Sequence, residues 1–184
     1  MQKRTLLNTR AFELTVNRLC YQLIENYQDF QDAIIVGIQP RGIYLSKRII
    51  ERLKEINPST HVIDGSLDIT FYRDDFRRGN EPLTANKTEM NHLVENKKVI
   101  LVDDVLFTGR SVRSAMDALL DFGRPKQVEL LVLIDRRFSR HLPIQPNYVG
   151  SKIDSISSER VEVKWKETGG KDSVVLLMKK DQNE

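Results

Sequence analysis

Three short, mostly apolar runs, AIIVGI at 33–38, VILVD at 99–103 and VELLVLID at 128–135, decide most of what this chain can fold into. A strand that alternates polar and apolar residues can leave one face in water, whereas one that is apolar at nearly every position must be covered on both faces. The segments between the runs supply that cover. Phe12, Val16, Leu19, Cys20, Leu23, Ile24 and Tyr27 recur at helical spacing and predict an amphipathic helix over 10–28. A second helix is expected over about 42–56, and Val112, Ala115, Met116 and Leu119 mark a third. Strands alternating with helices predict an α/β fold, with a mostly parallel central sheet and helices on both faces.

At 184 residues with 40% hydrophobic content, the chain suits one compact domain spanning 1–184. The segment HVIDGSLDITFY (61–72) reads as one or two strands around a glycine break. RDDFRRGNEPLTANKTE (73–89) carries neither period, and a connection that long inside a compact domain is expected to be a mobile functional loop. VEVKW (161–165) and SVVLLM (173–178), around Thr168-Gly169-Gly170, predict a C-terminal hairpin over about 161–179.

The net charge of +3 is mixed along the chain, which permits a polyanionic ligand or RNA without requiring either. Cys20, the lone cysteine, excludes an internal disulfide and is expected in the core. The N-terminal residues are too polar for the apolar core of a signal peptide, and the longest apolar runs fall far short of membrane-spanning length. A cytoplasmic protein, with no membrane partner, is the expectation. His61, His92 and His141 fit no metal-binding spacing.

Ligands of parallel sheets sit beyond the carboxyl ends of the strands. Three such ends carry unusual chemistry here: GIQPRG (37–42), DDVLFTGRS (103–111) and DRR (135–137). Thr108-Gly109-Arg110-Ser111 lies between a strand and a helix, where backbone N–H groups and hydroxyls can converge on a phosphate. Asp103 and Asp104 cannot bind the same anion. Carboxylates accept hydrogen bonds, so the vicinal hydroxyls of a ribose 5-phosphate suit them, and Mg²⁺ is a second ligand that two carboxylates can hold. Neither a Walker loop nor a G-x-G-x-x-G pattern occurs.

The stretch VILVDDVLFTGRSVR (99–113) resembles the diphosphate-ribose signature of type I phosphoribosyltransferases. IVGIQPRGIYLSKRI (35–49), LDITFYRDDF (67–76), MDALLDFGRP (116–125) and LPIQPNYVG (142–150) are similar to one branch, the PyrR family of bifunctional pyrimidine operon attenuators and uracil phosphoribosyltransferases. The resemblance implies the type I fold with a small hood and a flexible active-site loop. It implies conversion of uracil and phosphoribosyl diphosphate to UMP and pyrophosphate, with Mg²⁺ carried by the diphosphate. Within that reading Arg41, Arg73, Asp103 and Asp104 are the catalytic residues, with Arg77 and Arg78 assisting from the loop. Gln39, Pro40, Arg41 and Gly42 bind pyrophosphate across a cis Gln39–Pro40 bond. Asp103, Asp104, Val105, Leu106, Phe107, Thr108, Gly109, Arg110 and Ser111 cradle the ribose 5-phosphate, and Asp135, Arg136 and Arg137 form the hood beside the base.

Two positions bear on specificity. Transferases of 6-oxopurines place a carboxylate just before the Thr-Gly pair, suited to proton exchange with the purine, and this chain has Phe107 there. Uracil is the better substrate for such a site, with another nucleobase as the alternative. The family's Asp-Arg-Gly is Asp135-Arg136-Arg137 here, and the segment before the LPI stretch is one residue longer. The resemblance also implies a homodimer, or a higher oligomer of dimers, and an attenuator RNA hairpin as partner. Arg10, Arg18, Arg140, Lys152 and Arg160 are the candidate phosphate contacts for RNA, whereas Asn17, Tyr21 and Asn26 stand on the first helix where basic or imidazole side chains are expected. A non-catalytic, nucleotide-sensing RNA regulator is the alternative function.

Overall fold

The computed structural model describes residues 2–74 and 85–178. Its elements run β1 (Gln2–Leu7), α1 (Thr9–Tyr27), β2 (Ala33–Ile38), α2 (Gly42–Ile56), β3 (Ile63–Leu67), β4 (Lys98–Leu106), α3 (Arg110–Leu119), β5 (Gln127–Arg136), β6 (Tyr148–Ile153), β7 (Arg160–Lys164) and β8 (Ser173–Met178). The strands β3-β2-β4-β5-β6 form one sheet in that order, and every pairing in it is parallel. β1, β8 and β7 form a second, antiparallel sheet.

The apolar runs sit at the centre of the parallel sheet and are covered as their composition demands. On one face Ile35, Ile100, Val102, Leu131 and Leu133 meet Leu19 and Leu23 of α1, Leu45 and Ile49 of α2, Val174 of the antiparallel sheet and Trp165 just after β7. On the other face the intervening residues Ile34, Val36, Val99, Leu101 and Val132 meet Val112, Ala115 and Leu119 of α3. Burying each such aliphatic side chain contributes roughly 1.5–3 kcal/mol, so these two layers dominate the stability of the fold. Cys20 lies in the first layer, fully buried. Burial pushes its thiol up to about 12. Cys20 is therefore expected to resist a disulfide-exchange reagent at pH 8 in the native protein and to react when the chain is unfolded in denaturant; reaction of the native protein at the denatured rate would contradict this placement.

Two strands, β1 and β6, lie outside the periodicity reading. The segment 61–72 yields one strand, β3, followed by a short 3-10 turn over Thr70–Tyr72. The expected C-terminal hairpin is present as β7 and β8, but it gains a third strand from β1, with Gln2 opposite Met178. β6 completes the edge of the parallel sheet beside β5.

Strand order fixes where a ligand can enter. From β2 the chain first steps outward to β3, then returns across β2 to place β4 on its other side. This reversal leaves a crevice at the carboxyl ends of β2 and β4.

Candidate active site

The loop after β2 and the turn after β4 meet at that crevice. A cleft of about 270 Å³ opens there, bordered by Ile69, Arg41, Arg73, Asp103, Asp104 and Ser111. The Gln39–Pro40 peptide is cis. Gly42 seats the loop against β4 so tightly that a Cβ there would lie 2.2 Å from the Val102 carbonyl oxygen. The Gln39 side-chain amide donates to Ser66 Oγ (3.2 Å) and to the Lys87 carbonyl (2.7 Å). Its backbone N–H donates to the Leu67 carbonyl at 2.9 Å, so this residue ties the loop to β3.

Asp103 and Asp104 close the floor of the cleft. The Asp104 N–H donates to Asp103 Oδ1 at 2.9 Å. Asp104 is buried, and its Oδ2 has no hydrogen-bond partner among the described residues. Burial raises the Asp103 carboxyl well above the usual carboxylate range, the Asp104 charge adds to that, and the Asp104 N–H and the Arg41 charge oppose it. Burial raises Asp104 as well, opposed first by Arg41. A buried acceptor without a partner is costly, and a ligand hydroxyl or a metal-bound water would satisfy it. Among the described residues, no group of three or more His, Cys, Asp or Glu side chains converges to hold a metal by itself. The carboxylate pair suits a Mg²⁺ ion that brings its own phosphate and water ligands.

The three helices differ at their N-termini. α1, remote from the cleft, is capped by Asn8, whose side chain accepts from the Ala11 N–H at 2.9 Å. α2 and α3, which begin at the cleft, have no side-chain cap. Their positive dipole ends therefore favour an anion. Gly109, at the start of α3, has φ of 92° and a left-handed backbone that other residues rarely adopt. The Arg110 N–H donates to Thr108 Oγ1 (3.4 Å), and the Arg110 guanidinium pairs with Asp74 at the start of the long loop. Not every residue of the motif faces ligand: Leu106 is core, packed in the α3 layer, and Val105 packs partly buried against the other.

Asp68 is a residue that the sequence did not single out. Its Oδ1 accepts from the Thr70 N–H and hydroxyl, its Oδ2 accepts from the Asn86 N–H at 3.0 Å, and its own N–H donates to Thr88 Oγ1 at 3.0 Å. Ser66 and Glu89 add a reciprocal pair of backbone bonds at 2.9 Å. The two ends of the 73–89 loop are thereby fastened together beside the cleft, and Arg73 sits at its rim. Arg77 and Arg78 lie outside the described residues.

At the third strand end the charged side chains make contacts within the protein. The Arg136 guanidinium lies 3.9 Å over the Phe107 ring and donates to Ser155 Oγ and to the Ile156 and Glu159 carbonyls. It is buried, and that burial lowers its pKa. Its donors thus bind the segment before β7. Arg137 makes a bidentate pair with Asp154, with contacts of 2.6 and 2.7 Å. Asp135 is buried and paired with Arg140, which also donates to the Phe107 carbonyl at 2.5 Å. Of the cations proposed for RNA, Arg140 is thus engaged internally; Arg18 is exposed but donates to the Val149 and Gly150 carbonyls, and Arg10, Lys152 and Arg160 are exposed.

A parallel sheet whose switch point holds an acid pair, running directly into a Thr-Gly turn at a bare helix N-terminus, is the architecture of a phosphoribosyl-binding transferase. Comparison with known proteins agrees. The model of the phosphoribosyl transferase domain matches residues 2–168. The Bifunctional protein PyrR of Desulfosudis oleivorans is 41% identical over 177 residues, covering 96% of this chain and 97% of that protein. That of Brevibacillus brevis is 41% identical over 176 residues, with the same coverage. Among solved structures, a hypoxanthine phosphoribosyltransferase from Staphylococcus aureus superposes with a TM-score of 0.70 at 22% identity, covering 98% of this chain and 94% of that one. The enzyme of the same name from Trypanosoma cruzi gives 0.72 at 14% identity, covering 95% and 96%. The chain belongs to the PyrR family of type I phosphoribosyltransferases.

Proposed function

We propose that this chain transfers the phosphoribosyl group of phosphoribosyl diphosphate to uracil, forming UMP and releasing pyrophosphate. The observation that carries the reading is the Asp103–Asp104 pair at the switch point: Asp103 is half-buried, Asp104 is buried with an oxygen unpartnered among the described residues, and the two share their cleft with Arg41, Arg73 and Ser111. In the reaction a ring nitrogen of uracil, ionised by loss of its proton to solvent, bonds to the anomeric carbon as the bond from that carbon to the diphosphate oxygen breaks. Positive charge develops on the ribose and negative charge on the leaving group. Asp103 and Asp104 accept hydrogen bonds from the ribose hydroxyls and stabilise the cationic sugar. Arg41 and the bare N-terminus of α2 receive the departing diphosphate, and Arg73 closes over it from the rim. Asp103 and Asp104 are the carboxylates that would hold a Mg²⁺ ion arriving with the diphosphate, which would supply charge neutralisation of the leaving group. The Thr108–Ser111 turn holds the 5-phosphate, which fixes the anomeric carbon for in-line attack.

Phe107 supports uracil as the base. As a phenylalanine it offers no carboxylate before Thr108 for exchanging a proton with a purine, and its ring is covered by Arg136. Asp135, Arg136 and Arg137 shape the hood beside the pyrimidine. The chain acts as one phosphoribosyltransferase domain in the cytoplasm, assembled as a homodimer or as a higher oligomer of dimers. No described helix is long and apolar enough to cross a membrane. A panel of uracil, orotate, hypoxanthine and guanine, each with phosphoribosyl diphosphate and Mg²⁺, tests the reading. UMP alone should form. Turnover of a purine would overturn the base assignment, and no turnover with any base would overturn catalysis.

The name of the relatives, bifunctional, favours a second reading alongside the first, a UMP-dependent attenuator RNA regulator. Arg10, Lys152 and Arg160 are the exposed cations available to it. An attenuator hairpin should then bind with a steep salt dependence and more tightly when UMP is added.

A further inference from the structure

Arg140 was a candidate surface cation, yet only 18% of its side chain is exposed, against 9% for its partner Asp135. It joins the end of β5 to the start of the phosphate turn, donating Nη1 to the Phe107 carbonyl at 2.5 Å while Nη2 pairs with Asp135. The next two residues act on the next carbonyl: the His141 and Leu142 N–H groups donate to Thr108 O at 3.0 and 3.3 Å. Leu142 and Ile144 then pack where a Cβ on Gly109 would reach them at 3.5 and 3.2 Å.

We propose that Arg140 is a positioning residue for the 5-phosphate site, acting through the Phe107 carbonyl. The inference rests on the phosphoribosyltransferase reading above and adds a residue to it. A trans peptide is planar, with its carbonyl and N–H pointing in opposite directions. Drawing the Phe107 carbonyl toward Arg140 therefore turns the Thr108 N–H away from the 140–142 segment. Drawing the Thr108 carbonyl toward His141 and Leu142 does the same for the Gly109 N–H. Both amides are left directed at the anion, and both carbonyls, which would repel it, are held out of its way. Arg136 secures the same residue from its other side by stacking on the Phe107 ring. Asp135 keeps the Arg140 guanidinium in place, so the longer segment between β5 and β6 acts as a buttress for the turn.

Steady-state kinetics of Arg140→Ala and Arg140→Lys, with ribose 5-phosphate titrated calorimetrically into each, test the proposal. For Arg140→Ala the KM for phosphoribosyl diphosphate should rise tenfold or more, ribose 5-phosphate should bind weaker by a similar factor, and the KM for uracil should change less than twofold. Arg140→Lys keeps a cation for Asp135 but loses the fork to the carbonyl, and should fall between wild type and Arg140→Ala. Wild-type values for both phosphate ligands in Arg140→Ala would overturn the proposal, as would equal increases for uracil and phosphoribosyl diphosphate. Where Arg140→Ala fails to fold, Arg140→Lys decides alone, and less than a threefold loss of ribose 5-phosphate affinity sinks the idea. An inactive wild type that still binds ribose 5-phosphate would count against the transferase reading and leave the calorimetric comparison to judge Arg140.

Discussion

Asp103→Asn is expected to lower turnover on the order of a hundredfold or more while raising the melting temperature of the ligand-free protein. The first effect follows from the site: an acceptor that stabilises developing charge in a water-poor cleft is lost, and groups of this kind carry about 10²–10³ in rate. The second follows from the electrostatics of the empty cleft. Burial and the Asp104 charge hold the Asp103 carboxyl well above its ordinary range, so ionising it opposes folding. Between the ordinary carboxylate pKa and that raised value, the native protein binds more protons than the unfolded chain, and stability falls as pH rises through the window. Asparagine removes the charge but keeps Oδ1, which can still accept the Asp104 N–H now 2.9 Å away. For a chain of this size each kcal/mol recovered raises the melting temperature by roughly 2–4 °C. Thermal melts from pH 4 to pH 8 should show wild type losing stability relative to the variant as pH rises. Parallel melting curves, or a variant that melts lower at pH 7, would contradict the assignment of the pair.

Gly42→Ala should be the most damaging single methyl addition at the cleft. The new Cβ would stand 2.2 Å from the Val102 carbonyl oxygen and 3.1 Å from Asp103 Cα, both backbone atoms of a central strand that has no room to move. The diphosphate loop must give way instead. Overpacking of this kind costs about 1–3 kcal/mol, and displacing a binding loop by about an ångström can cost about a hundredfold in rate. Gly170 is the control, since its nearest atom would be 3.8 Å from an added Cβ and its φ is not positive. Gly170→Ala should stay within about 0.5 kcal/mol of wild type. Chemical denaturation and kcat/KM measured on both variants separate the outcomes, and equal behaviour would show that the loop is not pressed on β4.

The elements legible in the sequence are those whose own residues determine their burial. AIIVGI is buried at every position, so its apolar run identifies β2 without reference to anything else. The stripe from Phe12 to Leu23 identifies α1 in the same way. β1 was illegible because Gln2, Lys3, Arg4 and Thr5 are exposed, and pairing with β8 defines it as a strand. β6 buries only Tyr148 fully and carries Gly150 and Lys152, a composition that also fits a loop. At the site, the acid pair and the Thr-Gly turn are contiguous in sequence and were readable as a unit. Asp68, Arg18 and Arg140 were not readable, because their work lies in which distant carbonyl or N–H each one reaches. A lone Arg140 in the sequence has the same composition as a solvated surface arginine. Only the return of 140–142 along the Phe107–Thr108 backbone distinguishes the two.

The pairing of β1 with β8 has a consequence for the order of assembly. Gln2 and Met178 meet across nearly the whole described chain, and the entropy of closing so long a loop must be overcome before that ladder forms. The crevice loops and the strands that bear them lie wholly between residues 33 and 111, so their contacts close far shorter loops. During synthesis the parallel sheet and its phosphoribosyl crevice can take shape while the last strand is still to emerge. The antiparallel sheet, with Trp165 and Val174 sealing the α1 and α2 layer, is then the final piece to lock.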